Sequence, residues 1–239
     1  MNAVPSPELS AIVLCYRAGE SIGAVIEPLY ALLEASGIPF ELVLVANYWP
    51  HQNDPTLESA RRFASTHTHV VVLDREKQGG MGWDMRSGLQ AARGSTLVVI
   101  DGDAQNPVED VLRMYELLQD SGAGLGKGRR QNRGDGLYRS VISWVYNALF
   151  LLLFRTWGLW DINGKPKGLT RSTYDQLRLE SNDWFVDAEL VLAARRRGLR
   201  IAELPVVFLE NKDRSSFVRV SSIWEFIVHM ARFRLRGRP

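Results

Sequence analysis

The sequence lacks the features that mark several specialised classes of protein. It has one cysteine, Cys15, in 239 residues, so an internal disulfide cannot form and an intracellular protein is expected. The formal net charge is only +2, which does not require nucleic acid as a partner. No collagen-like or heptad repeat is present, and a content of 46% hydrophobic residues excludes disorder for most of the chain. The remaining class is an ordinary globular protein, with a length that suits one α/β domain.

Long apolar runs are also missing. The first ten residues have neither the basic start nor the apolar stretch of a signal peptide. The longest uncharged apolar run, Ser140–Phe154, has 15 residues, whereas a membrane-spanning helix needs about 20. We therefore predict a buried or interfacial helix in this run.

Short apolar runs alternate with helical patterns through the first two thirds of the chain. Each run is too short and too uniformly apolar for an amphipathic helix, which is typical of a parallel sheet covered on both faces. We predict a doubly wound α/β sheet, in one domain over residues 1–220. The expected strands are Leu9–Cys15, Glu41–Ala46, His69–Leu73, Thr96–Ile100 and Arg200–Leu209, and the expected helices are Ser21–Ala35, Pro55–Ser65, Trp83–Ala92, Pro107–Leu118 and Val186–Arg197.

Two aspartates follow the fourth predicted strand, in the run Ile100-Asp101-Gly102-Asp103. In open α/β sheets the ligand site lies beyond the carboxyl ends of the strands, and side chains at i and i+2 on extended backbone project to the same side. Two adjacent carboxylates are costly unless a cation lies between them. Hard oxygen ligands favour Mg²⁺ or Mn²⁺ completed by substrate phosphate and water, and Gln105 could add a neutral oxygen. A solvated turn cap is the alternative explanation.

Six segments of the chain, taken in order, resemble family 2 glycosyltransferases of GT-A fold. The resemblance is to the branch of dolichol-phosphate mannosyltransferases and polyprenyl-phosphate glycosyltransferases. The resemblance covers nearly the whole chain. It implies a Rossmann-like, mostly parallel sheet flanked by helices. The segments that carry it are AIVLCYRAGESI (11–22), GGMGWDMRSGLQAARGSTLVVIDGDAQNPVED (79–110), KGRRQNR (127–133), YRSVISWVYN (138–147), DINGKPKG (161–168) and VDAELVLAARRRGLRIAELPV (186–206).

The resemblance also implies a donor site for a GDP- or UDP-sugar. One position departs from the family pattern, because Asn47 stands where a nucleoside-binding Asp of an Asp-Asp-Gly-Ser run is expected. Several candidates have plainer explanations, since acids can cap a helix dipole and glycines and amides occur in turns. The implied donor-binding residues are Tyr16, Glu20, Asn47, Asp84, Arg86, Asp101, Gln105, Asp161, Lys167 and Asp187, and the implied metal ligands are Asp101, Asp103 and Gln105.

A basic segment, Lys127–Arg139, and two residues further along the chain supply the candidates for binding an acceptor phosphate. Guanidinium groups suit this task because they bind phosphate oxygens bidentately and keep their charge. A solvated basic surface is the alternative. The resemblance assigns the acceptor phosphate to Arg130, Arg139, Ser143 and Arg214, and the catalytic roles to Asp101, Asp103, Arg130 and Arg139.

The last residues, 221–239, combine an apolar stripe with several arginines. This pattern predicts an amphipathic basic C-terminal helix, either docked on the core or lying at a membrane interface. With the apolar run Ser140–Phe154, the chain would have two surfaces able to contact lipid. We therefore expect a peripheral protein on the cytoplasmic face of a membrane. The stripe comprises Ile223, Phe226, Ile227, Met230 and Phe233, and the arginines are Arg232, Arg234, Arg236 and Arg238.

The resemblance implies a metal-dependent, inverting transfer of a hexosyl unit, mannose or glucose, from a nucleotide sugar to a dolichyl-type polyprenyl phosphate. A phosphate acceptor is already ionised near neutral pH and needs no general base, in agreement with histidines that lack an evident catalytic position. Two alternatives stay open. One is a family 2 enzyme with a non-lipid acceptor, and the other is a catalytically degenerate, membrane-associated binding subunit.

Overall fold

The computed structural model describes residues 6–133, 147–148, 150–156 and 158–209. Seven strands in this part of the chain form one sheet in the order β3-β2-β1-β4-β6-β5-β7. Strands β1 to β4 pair in parallel, β6 runs antiparallel to its neighbours β4 and β5, and β7 is parallel to β5. The strands are β1 (Leu9–Leu14), β2 (Phe40–Val45), β3 (Val70–Leu73), β4 (Thr96–Asp101), β5 (Leu125–Arg133), β6 (Lys167–Thr170) and β7 (Ile201–Phe208).

Helices cover both faces of the sheet, which explains the uniformly apolar strands. In β1, Ile12 and Leu14 belong to one core cluster and Ala11 and Val13 to the other, and all are buried. The predicted α/β architecture is therefore confirmed. The helices are α1 (Gly23–Ser36, preceded by a 3₁₀ turn at Gly19–Ile22), α2 (Thr56–Thr66), α3 (Met81–Ala91), α4 (Asp110–Ser121), α5 (Arg171–Gln176) and α6 (Val186–Arg196), with further helical backbone at 147–148 and 150–154.

Two strands form where the sequence predicted loops. The basic segment from Lys127 and the Gly/Pro/Lys segment 161–168 supply β5 and the first residues of β6. Their glycines and lysines have low strand propensity, but pairing of β6 with β4 and β5, and of β5 with β7, overrides it. Gly126 and Gly168 allow this, because a Cβ at either position would collide with Met114 of α4.

Helix α4 begins at Asp110 and not at Pro107, where the sequence predicted its start. The intervening residues form a tighter turn, with Asp110 N donating to the Pro107 carbonyl and Val111 N to that of Val108. This i+3 pattern is common at helix starts. The helix ends at Ser121, and the next residue, Gly122, adopts the left-handed conformation with φ +62°.

The predicted C-terminal helix over 221–239 lies outside the described residues. So does 140–146, the first part of the apolar run that predicted a buried or interfacial helix. Within the described ranges, no helix is both long and apolar enough to cross a membrane.

The close approach of β5 to the segment before β6 can be tested at Gly128. A Cβ there would overlap the Lys165 carbonyl oxygen, and backbone cannot move aside as a flexible side chain can. We expect Gly128→Ala to lower the free energy of unfolding by about 1–3 kcal/mol, as overpacking does, in urea denaturation. Gly23→Ala is the matched control, because only the end of the Glu27 side chain lies near; equal losses in both variants would contradict the expectation.

Candidate functional site

The predicted acidic pair lies at the carboxyl end of the central strand β4. Asp101 is the last residue of β4, and Asp103 follows in a turn where its Oδ1 accepts a hydrogen bond from Gln105 N at 3.1 Å. Ala104 occupies the left-handed region with φ +60°, a conformation that costs energy for a residue with a Cβ and is frequent at functional sites. The turn is tied to the end of β7, because Leu209 N donates to the Gln105 carbonyl at 2.8 Å and Gln105 Nε2 to the Leu209 carbonyl at 3.3 Å.

The electrostatics of Asp101 are those of a carboxylate that a cation would stabilise. Burial raises its pKa to about 6, the Asp103 and Asp187 charges add to this effect, and Lys165 opposes it. No group of three or more His, Cys, Asp or Glu side chains suited to a metal occurs among the described residues. Two carboxylates fit Mg²⁺ or Mn²⁺, which usually take most of their ligands from water and substrate phosphate. Asp101 and Asp103 would hold such an ion, with Gln105 as the predicted third ligand.

Arg130 and Asp161 form one ion pair, although the resemblance assigned Arg130 to binding the acceptor phosphate and Asp161 to binding the nucleotide sugar. Asp161 Oδ2 accepts from Arg130 N at 2.9 Å and Nε at 2.8 Å, and Oδ1 accepts from Nη2 at 2.5 Å. The Arg130 guanidinium also lies 5.1 Å from the Phe208 ring centroid. Asp161 has φ +52°, so the segment before β6 holds a second strained residue at this edge of the sheet.

Two lysines flank Pro166 and have different surroundings. Lys165 Nζ lies 3.0 Å from Asp187 Oδ1 at the start of α6, and the lysine is 4% exposed. Lys167 Nζ donates to the carbonyls of Ile162 at 2.5 Å and Gly164 at 2.8 Å, and lies 3.7 Å from Asp187 Oδ1. The predicted donor-binding Lys167 is therefore directed into its own loop, while Lys165, which the sequence did not single out, accompanies Asp187 and Asp101.

Asn47 and Asp84, two predicted donor-binding residues, belong to a buried network beside Tyr16. Asn47 Nδ2 donates to Asp84 Oδ1 at 2.9 Å, and Asn47 Oδ1 accepts from Arg75 N at 3.0 Å. Lys77 forms an ion pair with Asp84, and its ammonium lies 4.4 Å from the Tyr16 ring centroid. Burial raises the pKa of Asp84, against the Lys77 charge and the Lys77 and Asn47 hydrogen bonds. Asn47 thus serves as donor to a carboxylate, a role that an Asp could not fill while ionised.

The two remaining residues predicted to bind the nucleotide sugar, Arg86 and Glu20, lie apart from these networks. Arg86 Nη1 donates to the Glu180 carbonyl at 3.0 Å and to Asn182 Oδ1 at 2.6 Å, which joins α3 to the segment before α6. Glu20 is exposed in the 3₁₀ turn after β1. The acceptor candidates Arg139, Ser143 and Arg214 lie outside the described residues, so their roles stay predictions.

The functional candidates that sequence reasoning missed are both buried lysines. Lys77 follows β3 and Lys165 precedes β6, and each is paired with an aspartate at the carboxyl edge of the sheet. A lysine in a loop is usually solvated, so its residue type gives no warning of burial. The only signal was position, since Lys165 lies within the segment 161–168 that carried the family resemblance and Lys77 lies just before the segment 79–110.

Comparison with known sequences gives a match to one protein family. The sequence profile of the family described as "Glycosyl transferase family 2" matches residues 10–178. "Dodecaprenyl-phosphate galacturonate synthase" of Rhizobium johnstonii is 31% identical over 150 residues, which are 62% of this chain and 44% of that protein. "Undecaprenyl-phosphate 4-deoxy-4-formamido-L-arabinose transferase" of Salmonella paratyphi A is 26% identical over 228 residues, 93% of this chain and 67% of that protein. This chain thus spans less than half the length of the first relative.

A solved structure confirms the predicted GT-A fold. Glucosyl-3-phosphoglycerate synthase from Mycobacterium tuberculosis, crystallised with Mn²⁺, UDP and phosphoglyceric acid, superposes with a TM-score of 0.75. The match covers 98% of this chain and 80% of that one, at 17% sequence identity. At this identity the likeness concerns the fold.

The Lys77–Asp84 pair allows a test of the buried network. Asp84→Ala would leave the Lys77 ammonium buried and unpaired, and we expect a loss of about 3–5 kcal/mol in the free energy of unfolding. The double variant Lys77→Met/Asp84→Leu should recover most of this loss in urea denaturation. Asp74→Ala, which breaks the exposed pair with Arg61, is the control and should cost less than about 1 kcal/mol. Similar losses for Asp84→Ala and Asp74→Ala would contradict a buried pair.

The buried Lys167 predicts how stability depends on pH. Burial lowers the pKa of Lys167 to about 7, so the folded protein releases a proton that the unfolded chain retains up to about pH 10. Between these values the unfolded state binds more protons, and stability from this site rises with pH by up to about 1.4 kcal/mol per unit. Lys167→Met lacks the group, so the difference in unfolding free energy should shift in favour of the wild type between pH 7 and pH 9. Parallel urea titrations that give no such shift would indicate that the lysine stays protonated in the fold.

Proposed function

The chain belongs to glycosyl transferase family 2, and on this premise we propose that it transfers a hexosyl unit from a nucleotide-diphosphate sugar to a polyprenyl phosphate at a membrane surface. Its match to the family over residues 10–178 confirms the predicted family. The Rhizobium and Salmonella relatives are named for dodecaprenyl and undecaprenyl phosphate, which supports a lipid phosphate as acceptor. Mannose and glucose are the sugars we propose.

The observation that carries the proposal is the pair Asp101 and Asp103 at the carboxyl end of β4, with cationic side chains from neighbouring elements beside it. An isolated acidic turn would be solvated, whereas burial and the Asp103 and Asp187 charges raise the pKa of Asp101 to about 6 although Lys165 and Arg130 oppose them. Such an edge is suited to a ligand that brings its own cation and phosphate oxygens. A nucleotide-diphosphate sugar with a divalent ion has this chemistry.

A Mg²⁺ or Mn²⁺ ion on Asp101 and Asp103 would supply neutralisation of the charge that develops on the leaving diphosphate. The protein's own side chains would position the donor. Tyr16 and the Asn47–Asp84 network lie where a nucleoside is expected, at the carboxyl ends of β1 and β2. Asp187 would face the sugar, and catalysis would depend on positioning and charge stabilisation.

The acceptor phosphate would attack without help from a general base. One of its oxygens, already ionised near neutral pH, forms a bond to the anomeric carbon while the bond from that carbon to the diphosphate oxygen breaks, with inversion. Arg130 is the described candidate for holding the acceptor, and Arg139, Ser143 and Arg214 are the candidates elsewhere in the chain. The Arg130–Asp161 pair supports a fixed orientation of the guanidinium at this edge.

A membrane surface is proposed because a polyprenyl tail stays in the bilayer while its phosphate enters the site. The apolar run that ends at Phe154 supports this, since Leu152 is 66% exposed and Leu153 is 41% exposed. The amphipathic segment 221–239 would add a second contact. We propose that the protein is peripheral and lies on the cytoplasmic face of the membrane. Whether a separate membrane protein anchors it is left open.

Asn47 favours one alternative, a binding subunit without turnover. The amide carries no charge where the family has an acid, so the nucleoside could bind differently. The Asp84 carboxylate next to Asn47 opposes this alternative, because it keeps an acid within the same network. The other alternative, a family 2 enzyme with a non-lipid acceptor, differs from the proposed function only in the acceptor.

The proposal is tested by measuring product formation with GDP- and UDP-sugars, Mg²⁺ or Mn²⁺, and a short polyprenyl phosphate. We expect lipid-dependent transfer that Asp103→Ala reduces at least 100-fold, in the range of losses when one transition-state charge stabiliser is removed. Asp120→Ala is the matched control, because Asp120 is exposed on α4, away from the edge. It should leave transfer unchanged.

Further arms separate the alternatives. Turnover that is equal with 3-phosphoglycerate in place of lipid would replace the lipid acceptor by a soluble one. Metal-dependent nucleotide binding without turnover would favour the binding subunit. Equal activity of Asp103→Ala and Asp120→Ala would reject the acidic pair as the metal site.

A further inference from the structure

Lys165 has a buried ammonium with more hydrogen-bond donors than partners. An ammonium carries three donors, yet in the described part of the chain the only oxygen within hydrogen-bond distance of Nζ is Asp187 Oδ1, at 3.0 Å. A second, weak contact is made with Met85 Sδ at 3.8 Å. Buried polar groups are normally satisfied, so the remaining capacity of this side chain calls for an explanation.

The sheet register places Lys165 beside the acidic pair. Val99 of β4 is opposite Lys167 of β6 in an antiparallel pairing, so the chain just before β6 lies at the end of β4 that carries Asp101. The charges agree with this placement, because Lys165 is the strongest influence that lowers the pKa of Asp101. Burial alone would lower the pKa of Lys165, but the Asp187 and Asp101 carboxylates raise it, so the group is a cation.

We propose that Lys165 is a donor-site residue whose ammonium, held by Asp187, donates a hydrogen bond to an oxygen of the glycosyl-diphosphate part of the nucleotide sugar. This inference rests on the proposed function. The oxygen that accepts this hydrogen bond belongs to a sugar hydroxyl or to a phosphate, and either group can pair with the unused N–H groups of the ammonium. Lys165 would then be a protein cation that binds the nucleotide sugar independently of the divalent ion.

Two buried amide oxygens near Lys165 in the chain or in contact with it through their side chain also lack hydrogen-bond partners among the described residues. Asn106 Nδ2 donates to the Lys165 carbonyl at 3.0 Å, while its Oδ1 is buried and lacks a hydrogen-bond partner among the described residues. Asn163 Oδ1, in the same segment as Lys165, is also buried and unpartnered within that part of the chain. Sugar hydroxyls can both donate and accept, so a bound glycosyl group could satisfy an ammonium and amide oxygens together.

Lys167 provides the internal contrast. It is as buried as Lys165 and belongs to the same segment, but its Nζ donates to two carbonyls. Burial by itself therefore does not leave a lysine short of partners in this fold. The alternative for Lys165 is a structural role, in which it only neutralises Asp187.

A double-mutant comparison separates the two roles. Four proteins are compared: wild type, Lys165→Met, Asp187→Asn and the double variant. Asp187→Asn removes the charge of the one carboxylate that Lys165 contacts directly, so a Lys165 whose only role is to neutralise Asp187 has nothing left to do in that background. Binding of UDP-glucose, GDP-mannose, UDP and GDP is measured by titration calorimetry with Mn²⁺, and thermal unfolding of each protein verifies the fold.

We expect Lys165→Met to weaken nucleotide-sugar binding at least tenfold in the Asp187→Asn background, with little change in melting temperature between those two variants. A loss confined to UDP-glucose or GDP-mannose would identify a sugar hydroxyl, and an equal loss for UDP or GDP would identify a phosphate oxygen. Equal affinity of Asp187→Asn and the double variant would overturn this inference alone. If the wild type bound none of the four ligands, the proposed function would be overturned with it.

Discussion

The carboxyl edge of this sheet depends on buried lysines that organise the segment leading into β6. Lys127 contacts the Trp160 and Asp161 carbonyls and pairs with Glu203, and Lys167 donates to the Ile162 and Gly164 carbonyls. An unpaired buried charge costs several kcal/mol, so the backbone of this segment is constrained to the arrangement that supplies these partners. Apolar side chains could fill the same volume, but they would not specify which carbonyls point inward.

That arrangement also sets the chemistry of the edge. Asp161 is held by Arg130, Asp187 by Lys165, and Asp84 by Lys77, so acids from three parts of the chain are each paired within the fold. Asp101 and Asp103 differ, since their mutual charge helps to raise the pKa of Asp101. The edge therefore combines preorganised pairs with one carboxylate pair suited to a divalent ion, the combination that electrostatic stabilisation of a leaving diphosphate needs.

Local sequence patterns were sufficient where burial is two-sided and pairing is parallel. Strands β1 to β4 lie within a residue of their predicted bounds, because uninterrupted β-branched and aliphatic runs suit only a buried strand. The same reasoning missed β5 and β6, whose glycines and lysines resemble loop composition. Both are held by neighbours distant in sequence, and Gly126 and Gly168 matter through their closeness to Met114 of α4. No local pattern contains that information.

For the site, the sequence alone determined the acidic pair after β4, the family resemblance and the set of candidate donor residues. Only the tertiary structure decided which of them act together: it joined Arg130 to Asp161 and Asn47 to Asp84, directed Lys167 into its own loop, and brought Lys165 beside Asp187. The physical reason is that a strand end and its acids are local features of the chain. The partner of a buried charge, in contrast, is determined by strand order and by how helices and loops pack on the sheet, which bring residues 22 to 37 positions apart within 3 Å of one another.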